Sequence, residues 1–351
     1  MKKFSSFLGL VVMLSLVLAA CGPAATPEPA AEEPAAEEPA AEEATEAPAP
    51  EPFRVAVILP SAINDYAFSQ SMYDGLVAIQ EEMGGADNFE LVYSESMFVV
   101  DDAAAAIRDY ASQGFDLVIA HGSQYGSSLQ EIAPDFPDVS FAWGTTVDTF
   151  GQPNIFAYEA ASDEGGYVNG VIAATISTSK IIGLVMPIET GDAKLYVDGF
   201  TAGVAATDPS VTVSVTYTGS FSDTALAAEA ATTHIAAGAD VLSGTSQMVV
   251  GAIGKAEEAG IPWFASDANQ APLAPSVIVN SQVYHWEVIL TQMIDLINAG
   301  TLGGQSFAIN LANGGEVIEY NPDYSLSADA KAAGDAAIQG IIDGSITITA
   351  E

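Results

Sequence analysis

The chain has 351 residues, 49% of them apolar, and a formal charge of -38 from 46 acidic against 8 basic residues. Its 15 Phe, 12 Tyr and 3 Trp supply material for more than one core, whereas so acidic a surface repels phosphate and argues against nucleic acid or a polyanionic ligand. A single cysteine, Cys21, excludes an internal disulfide, thiolate zinc and iron–sulfur clusters.

Lys2 and Lys3 precede an apolar run over residues 4–18, and small residues follow it. That pattern predicts a secretory signal over residues 1–20, too short for a comfortable membrane span. Leu18-Ala19-Ala20-Cys21 resembles a bacterial lipobox, in which the cysteine thiol is lipidated and becomes the new N-terminus. Two or more acyl chains give effectively stable attachment, so the protein is expected on the outer face of a membrane. Residues 21–52 hold the lipidated cysteine and a spacer of almost nothing but Ala, Pro, Glu and Thr, with PAAEE repeated three times. Without aromatic or branched aliphatic residues it buries too little surface to fold, and proline with like charge extends it. Beyond the spacer, 37 acids face six bases.

From Phe53 the pattern alternates. Strands are predicted at 53–60, 89–94, 115–120, 139–144 and 154–158, with helices at 67–83, 101–113 and 126–132 between them. After a helix at 163–177 the beat repeats, with strands at 180–186, 211–217, 240–242, 263–265 and 277–280 and helices at 192–206, 223–237 and 249–259. Buried strands alternating with helices predict parallel sheets covered on both faces, and the repetition predicts two α/β lobes. A helix at 286–299, an extended stretch at 306–320 and a helix at 328–343 break the beat. They imply a tail that passes between the lobes several times and makes a hinge. The boundaries expected are 53–158 for lobe 1, with 284–310 returning to it, and 159–283 for lobe 2, with part of 311–351.

Enzyme signatures are scarce: the chain has no G-x-S-x-G, no phosphate-binding loop, no H-E-x-x-H and no dinucleotide fingerprint. His121, His234 and His285 lack metal-ligand spacing, and His121 reads as structural although it ends a strand. Polar and aromatic residues cluster just past strand ends instead: Asp65, Phe68 and Ser69 after the first, Tyr125 after the third. In the second lobe Phe221, Gln247, Asp267, Tyr284 and Trp286 take similar places. Rings with carboxylates and amides suit a planar, hydrogen-bonding ligand in a crevice between the lobes. Asp223 reads as a helix N-cap, while Asp65, beside Phe68, reads as a ligand contact.

NDYAFSQSMYDGL (64–76) resembles the D-x-S-F-N-Q-x-x-x-x-G-L opening of the basic-membrane-protein family, the lipid-anchored solute-binding components of ABC importers for purine nucleosides and related compounds. EGGYVNG (164–170), Gly199-Phe200 with Gly203, GAD (238–240) and ASDANQ (265–270) resemble further motifs of that family in the same order. The resemblance implies a two-lobed, type I periplasmic-binding-protein-like α/β fold with a hinge, no catalysis and no cofactor. It also implies ABC permease and ATPase subunits as partners, and Asp267 holding a ribose or base edge. Ser69 stands where the family has Asn. Tyr284-His285-Trp286 replaces a lysine of nucleoside-binding members and is similar to the aromatic-x-Trp of members that take free bases. Nucleoside and nucleobase both stay open, as do another polar solute such as a sugar and a ligand sensor not coupled to transport. A tethered hydrolase would need a nucleophile–base pair that the sequence does not offer.

Overall fold

The computed structural model describes residues 51–349. The expected signal segment, Cys21 and nearly all of the spacer lie outside them.

The first lobe runs β1 (Phe53–Ile58), α1 (Phe68–Glu82), β2 (Phe89–Ser94), α2 (Val100–Ser112), β3 (Leu117–His121), α3 (Gly126–Ile132), β4 (Ser140–Gly144) and β5 (Ile155–Ala160). The second runs α4 (Ser162–Ile176), β6 (Ile181–Met186), α5 (Gly191–Thr207), β7 (Thr212–Tyr217), α6 (Thr224–Ala236), β8 (Val241–Gly244), α7 (Val249–Ala259), β9 (Trp263–Ala265) and β10 (Ile278–Tyr284). The tail adds α8 (Glu287–Asn298), β11 (Ser306–Ile309), β12 (Glu316–Tyr320) and α9 (Ala328–Ile342). The strands form two six-stranded sheets ordered β2-β1-β3-β4-β5-β11 and β7-β6-β8-β9-β10-β12. Every pairing is parallel except β10 with β12. The expected stretch at 306–320 is therefore two strands, one in each sheet. Asn310 and Asn313 exchange side-chain-to-backbone hydrogen bonds at 3.0 and 2.8 Å, and Gly314 takes φ +74°, which turns the chain between them.

Strand periodicity explains why both faces of each sheet are covered. In β1, Val55 and Val57 pack into one core with Leu76 and Leu290, whereas Ala56 and Ile58 pack into another with Ile107 and Phe141. In the second lobe Ile182 and Leu184 face one core and Val185 the other.

Two of the family-like motifs serve packing. A Cβ at Gly166 or Gly170 would strike the carbonyl oxygen of Tyr196 or Phe200, and one at Gly199 or Gly203 would strike that of Asp163 or Tyr167. Glycines four apart on α4 and α5 thus let the two backbones touch. Asp240 closes the GAD motif structurally. Burial raises its carboxyl, but hydrogen bonds from Ser177, Thr178 and Ser179 hold it at about 2.

The chain crosses between lobes after β5, after β10 and between β11 and β12, and the three crossings bind one another. The Ala161 N–H donates to Ile309 O at 2.9 Å, His285 N–H to Gly315 O at 2.7 Å and Leu311 N–H to the Glu164 carboxylate at 2.8 Å. Tyr284 Oη and Ser162 Oγ are 2.9 Å apart. Among these strands Glu316 is fully buried, with neither carboxyl oxygen hydrogen-bonded and the unpartnered Oε1 of Gln282 also buried. Burial, then the charge of Glu164, pushes the Glu316 carboxyl well above 4.5. A group whose folded value is raised contributes stability below its unfolded value and loses it as pH rises through the folded one. Glu316→Gln is therefore expected to flatten the fall in melting temperature that the wild type shows as pH rises above 4.5. Thermal denaturation at several pH values checks this, and parallel profiles would remove Glu316 as the cause.

Candidate functional site

The cleft between the lobes contains a cavity of about 420 Å³. Its walls come from eight loops, each at the carboxyl end of a parallel strand, the place where connectivity leaves a crevice in open α/β sheets. Lobe 1 contributes Pro60 and Phe68 after β1, Phe98 and Val100 after β2, Ser123 and Gln124 after β3, and Thr145 after β4. Lobe 2 contributes Pro187 through Ala193 in part after β6, Phe221 after β7, Thr245 to Gln247 after β8, and Asp267 after β9.

Phe68 opens α1 and is half-buried. One face of its ring stacks on His121 at 3.7 Å between centroids and 10° between planes. His121 is fully buried, with Nε2 3.0 Å from Phe68 O and Nδ1 2.8 Å from Tyr158 Oη. A carbonyl only accepts, so Nε2 carries the proton and Nδ1 accepts from the tyrosine. Burial lowers the imidazole to about 3, so it is neutral. The reading of His121 as structural thus matches its place: it is a rigid backing for Phe68. Phe98 and Phe221 approach from opposite lobes, 6.2 Å apart and tilted by 55°.

Asp267 is buried in the lobe 2 wall at φ +72°, and Tyr66 and Ser246 in neighbouring cleft loops also have positive φ. Such strain in non-glycine residues gathers where a site over-determines the backbone. The carboxylate accepts from Thr245 Oγ1 and from the Ser246 N–H, all at 3.1 Å. Burial outweighs these bonds, and its carboxyl is pushed up to about 6. Among the described residues each of the six bases is paired with an acid, and none lines this cavity.

Of the residues singled out from sequence, Phe68, Phe221, Gln247 and Asp267 meet in the wall. The other five stand behind it. The Asp65 carboxylate accepts from the N–H groups of Ala67, Ser69 and Gln70 at 2.8, 3.3 and 3.1 Å, so it caps α1, and Gln247 reaches it from the other lobe. Ser69 is fully buried and accepts from Ser61 N–H. The 3₁₀ turn after β3 swings Tyr125 into the core, where its hydroxyl donates to Met97 O at 2.8 Å, and leaves Ser123 and Gln124 at the cavity. Tyr284 belongs to the hinge. Trp286 is fully buried and donates to Ser71 Oγ at 3.0 Å, its ring edge-on to Phe68, His121, Tyr158 and Tyr284. Asp223 caps α6 as expected, accepting from Ala225 and Leu226 N–H. Phe98 and Asp192 were not anticipated. Both follow strand ends no less than Asp267 does, and that rule, applied after β2 and β6, finds them.

The family model for PnrA-like ABC transporter substrate-binding proteins matches residues 53–348. The chain belongs to this family. Its members are binding proteins rather than enzymes. It is 25% identical to a purine-binding protein of Brucella abortus, over 81% of this chain and 79% of that one. It is also 25% identical to an ABC transporter nucleoside-binding protein of Lactococcus lactis, over 82% and 86% of the two chains. In fold it resembles an ABC transporter solute-binding protein of Aeropyrum pernix, with a TM-score of 0.73 at 19% identity over 86% of this chain and 94% of that one.

Trp286→Ala removes a fully buried ring and is expected to cost about 3–5 kcal/mol. Phe221→Ala, at a half-buried position of the cleft, should cost less than about 1.5 kcal/mol. Denaturant titration of the two variants compares them; an undiminished stability for Trp286→Ala would place that ring at the ligand instead.

Proposed function

We propose that this substrate-binding protein is an extracytoplasmic, lipid-anchored receptor that captures a purine nucleoside or nucleobase between its lobes and presents the closed form to an ABC permease and its ATPase. The observation that carries the reading is a cavity between aromatic rings that holds the buried carboxyl of Asp267 and no cation. At about 420 Å³ it is of the size of small-molecule sites. Phe68, backed by His121, and Phe221 offer flat apolar faces to a heterocycle, and Asp267 and Gln247 offer hydrogen bonds to its edge or to a ribose. Carboxyls without a cation disfavour a phosphorylated ligand, so nucleosides and bases fit where nucleotides do not. The names of the two relatives point the same way. Contacts across the cleft, such as Gln270 Nε2 donating to Tyr66 O at 3.0 Å, support hinge closure around the ligand.

A purine at a concentration 100 times its dissociation constant stabilises by about 2.7 kcal/mol. A thermal-shift panel of nucleosides, bases, nucleotides and sugars is expected to respond to the first two classes alone; a response confined to sugars would falsify the purine assignment. Asp267→Ala loses charge-assisted bonds of roughly 1.5–3 kcal/mol each, weakening the bound purine about tenfold or more. Phe68→Ala should weaken it comparably by calorimetry.

Anchoring rests on the Leu18–Cys21 string and the spacer after it. Cys21→Ser is expected to release the protein from membranes with its melting temperature unchanged. Continued sedimentation of the variant with membranes would refute the anchor.

A further inference from the structure

Two rings meet across the cleft at the end farthest from the pivot. Every crossing between the lobes leaves or enters β5, β10, β11 or β12, whereas β2 and β7 form the opposite edges of the two sheets. Phe98 follows β2 and Phe221 follows β7, and their ring centroids lie 6.2 Å apart with the planes tilted by 55°. That separation is direct ring–ring contact. A heterocycle inserted between them would need about 7 Å or more, so the sides that face each other are closed to the ligand. Both backbones are fastened to their own lobe. Met97 N–H donates to Leu59 O at 3.0 Å, and Met97 O accepts from Tyr125 Oη at 2.8 Å. Phe221 O accepts from Met248 N–H at 2.9 Å and from Ser246 Oγ at 3.1 Å. Among the described residues neither ring belongs to the four hydrophobic cores, and Phe98 is 50% exposed. Neither ring therefore fills its own lobe. Each is a fixed post that borders the cavity and finds an apolar partner on the opposite lobe.

We propose that Phe98 is a ligand-retaining residue: with Phe221 it forms a latch that exists while the lobes are closed and sets how long the captured solute stays. The inference rests on the reading of the cleft as the ligand site, and it holds for any solute enclosed there. A hinge rotation displaces points in proportion to their distance from the pivot, so the pair at the far edge parts furthest when the cleft opens. Parting returns apolar surface of both rings to water, which raises the cost of opening without any contact to the bound solute.

Stopped-flow kinetics with adenosine as the probe compare the wild type with Phe98→Ala, Phe221→Ala and the double variant. Phe98→Ala is expected to raise the dissociation rate about tenfold, and Phe98→Tyr, which keeps the ring, to leave it near the wild-type value. Because the two rings act as one pair, Phe98→Ala should add little in the Phe221→Ala background. Spin labels at Asp102→Cys and Ala225→Cys, exposed positions in the first turns of α2 and α6, report the separation of the lobes in the empty Cys21→Ser chain. Phe98→Ala is expected to lengthen that distance. An unchanged dissociation rate, an equal rise in the Phe221→Ala background, or an unchanged label distance overturns the latch and leaves the purine reading standing. Failure of the wild type to bind adenosine counts against the purine reading instead, and the label distance alone then decides the latch. The melting temperature of empty Phe98→Ala serves as the folding check, since a ring outside the cores should not lower it much.

Discussion

Parallel strand pairing is the constraint on which this molecule depends. A strand that must return to the same end of its sheet needs a helix to carry it back, so every strand of a lobe ends on the same side. With two such sheets the carboxyl ends converge on one crevice, and the loops after β1, β2, β3, β4, β6, β7, β8 and β9 become its walls. The single antiparallel pair, β10 with β12, closes the second sheet with the last strand to return from lobe 1. That arrangement brings Tyr284, Glu316 and Gln282 into the hinge and keeps them out of the cleft.

Charge is arranged on the same plan. The six bases beyond the spacer are spent on local partners, four of them on the surface of lobe 2 and its tail, where pairs of this kind contribute little. The cleft is left with acids that burial disfavours in their ionised form, Asp267 and Asp192 within the wall and Asp65 just behind it. In the proposed function these carboxyls meet the purine as hydrogen-bonding partners, and donors on its edge offset the desolvation that raises them.

Much of the fold was legible because its signals are local. Strand runs such as FRVAVI and LVIAH carry their β-branched periodicity in five or six residues, and Gly260 in the left-handed region marks the end of α7. The stretch after α8 was harder. Nothing in SFAI or EVIEY says that the two segments belong to different sheets, because that depends on pairing with β5 and β10, each more than thirty residues away. The site was legible by position and less so by direction. Past a strand end, a one-residue change in the turn decides whether a ring faces the crevice or the core. Tyr125 shows this: a single 3₁₀ turn sends it inward and leaves Gln124 at the cavity. Asp65 shows the other ambiguity, since a carboxylate three residues before a helix suits a ligand and a cap alike, and here three backbone N–H groups claim it.

The residues behind the wall explain why the wall is stiff. Phe68 is held at the start of α1 by the Asp65 cap, from below by the neutral His121, and edge-on by Trp286, whose indole is pinned to Ser71 of the same helix. His121 is fixed in turn by Tyr158 on β5, the strand that leads to the first crossing. Each ring is restrained by two or more neighbours, so Phe68 has little rotamer freedom left to lose when a ligand stacks on it. Preorganisation of this kind lowers the cost of binding. The same aromatic chain runs through Trp286 to Tyr284 and so to Ser162 and the hinge. Under the proposed function, the ring assigned to the ligand is thus braced through a packed column that ends at the crossings between the lobes.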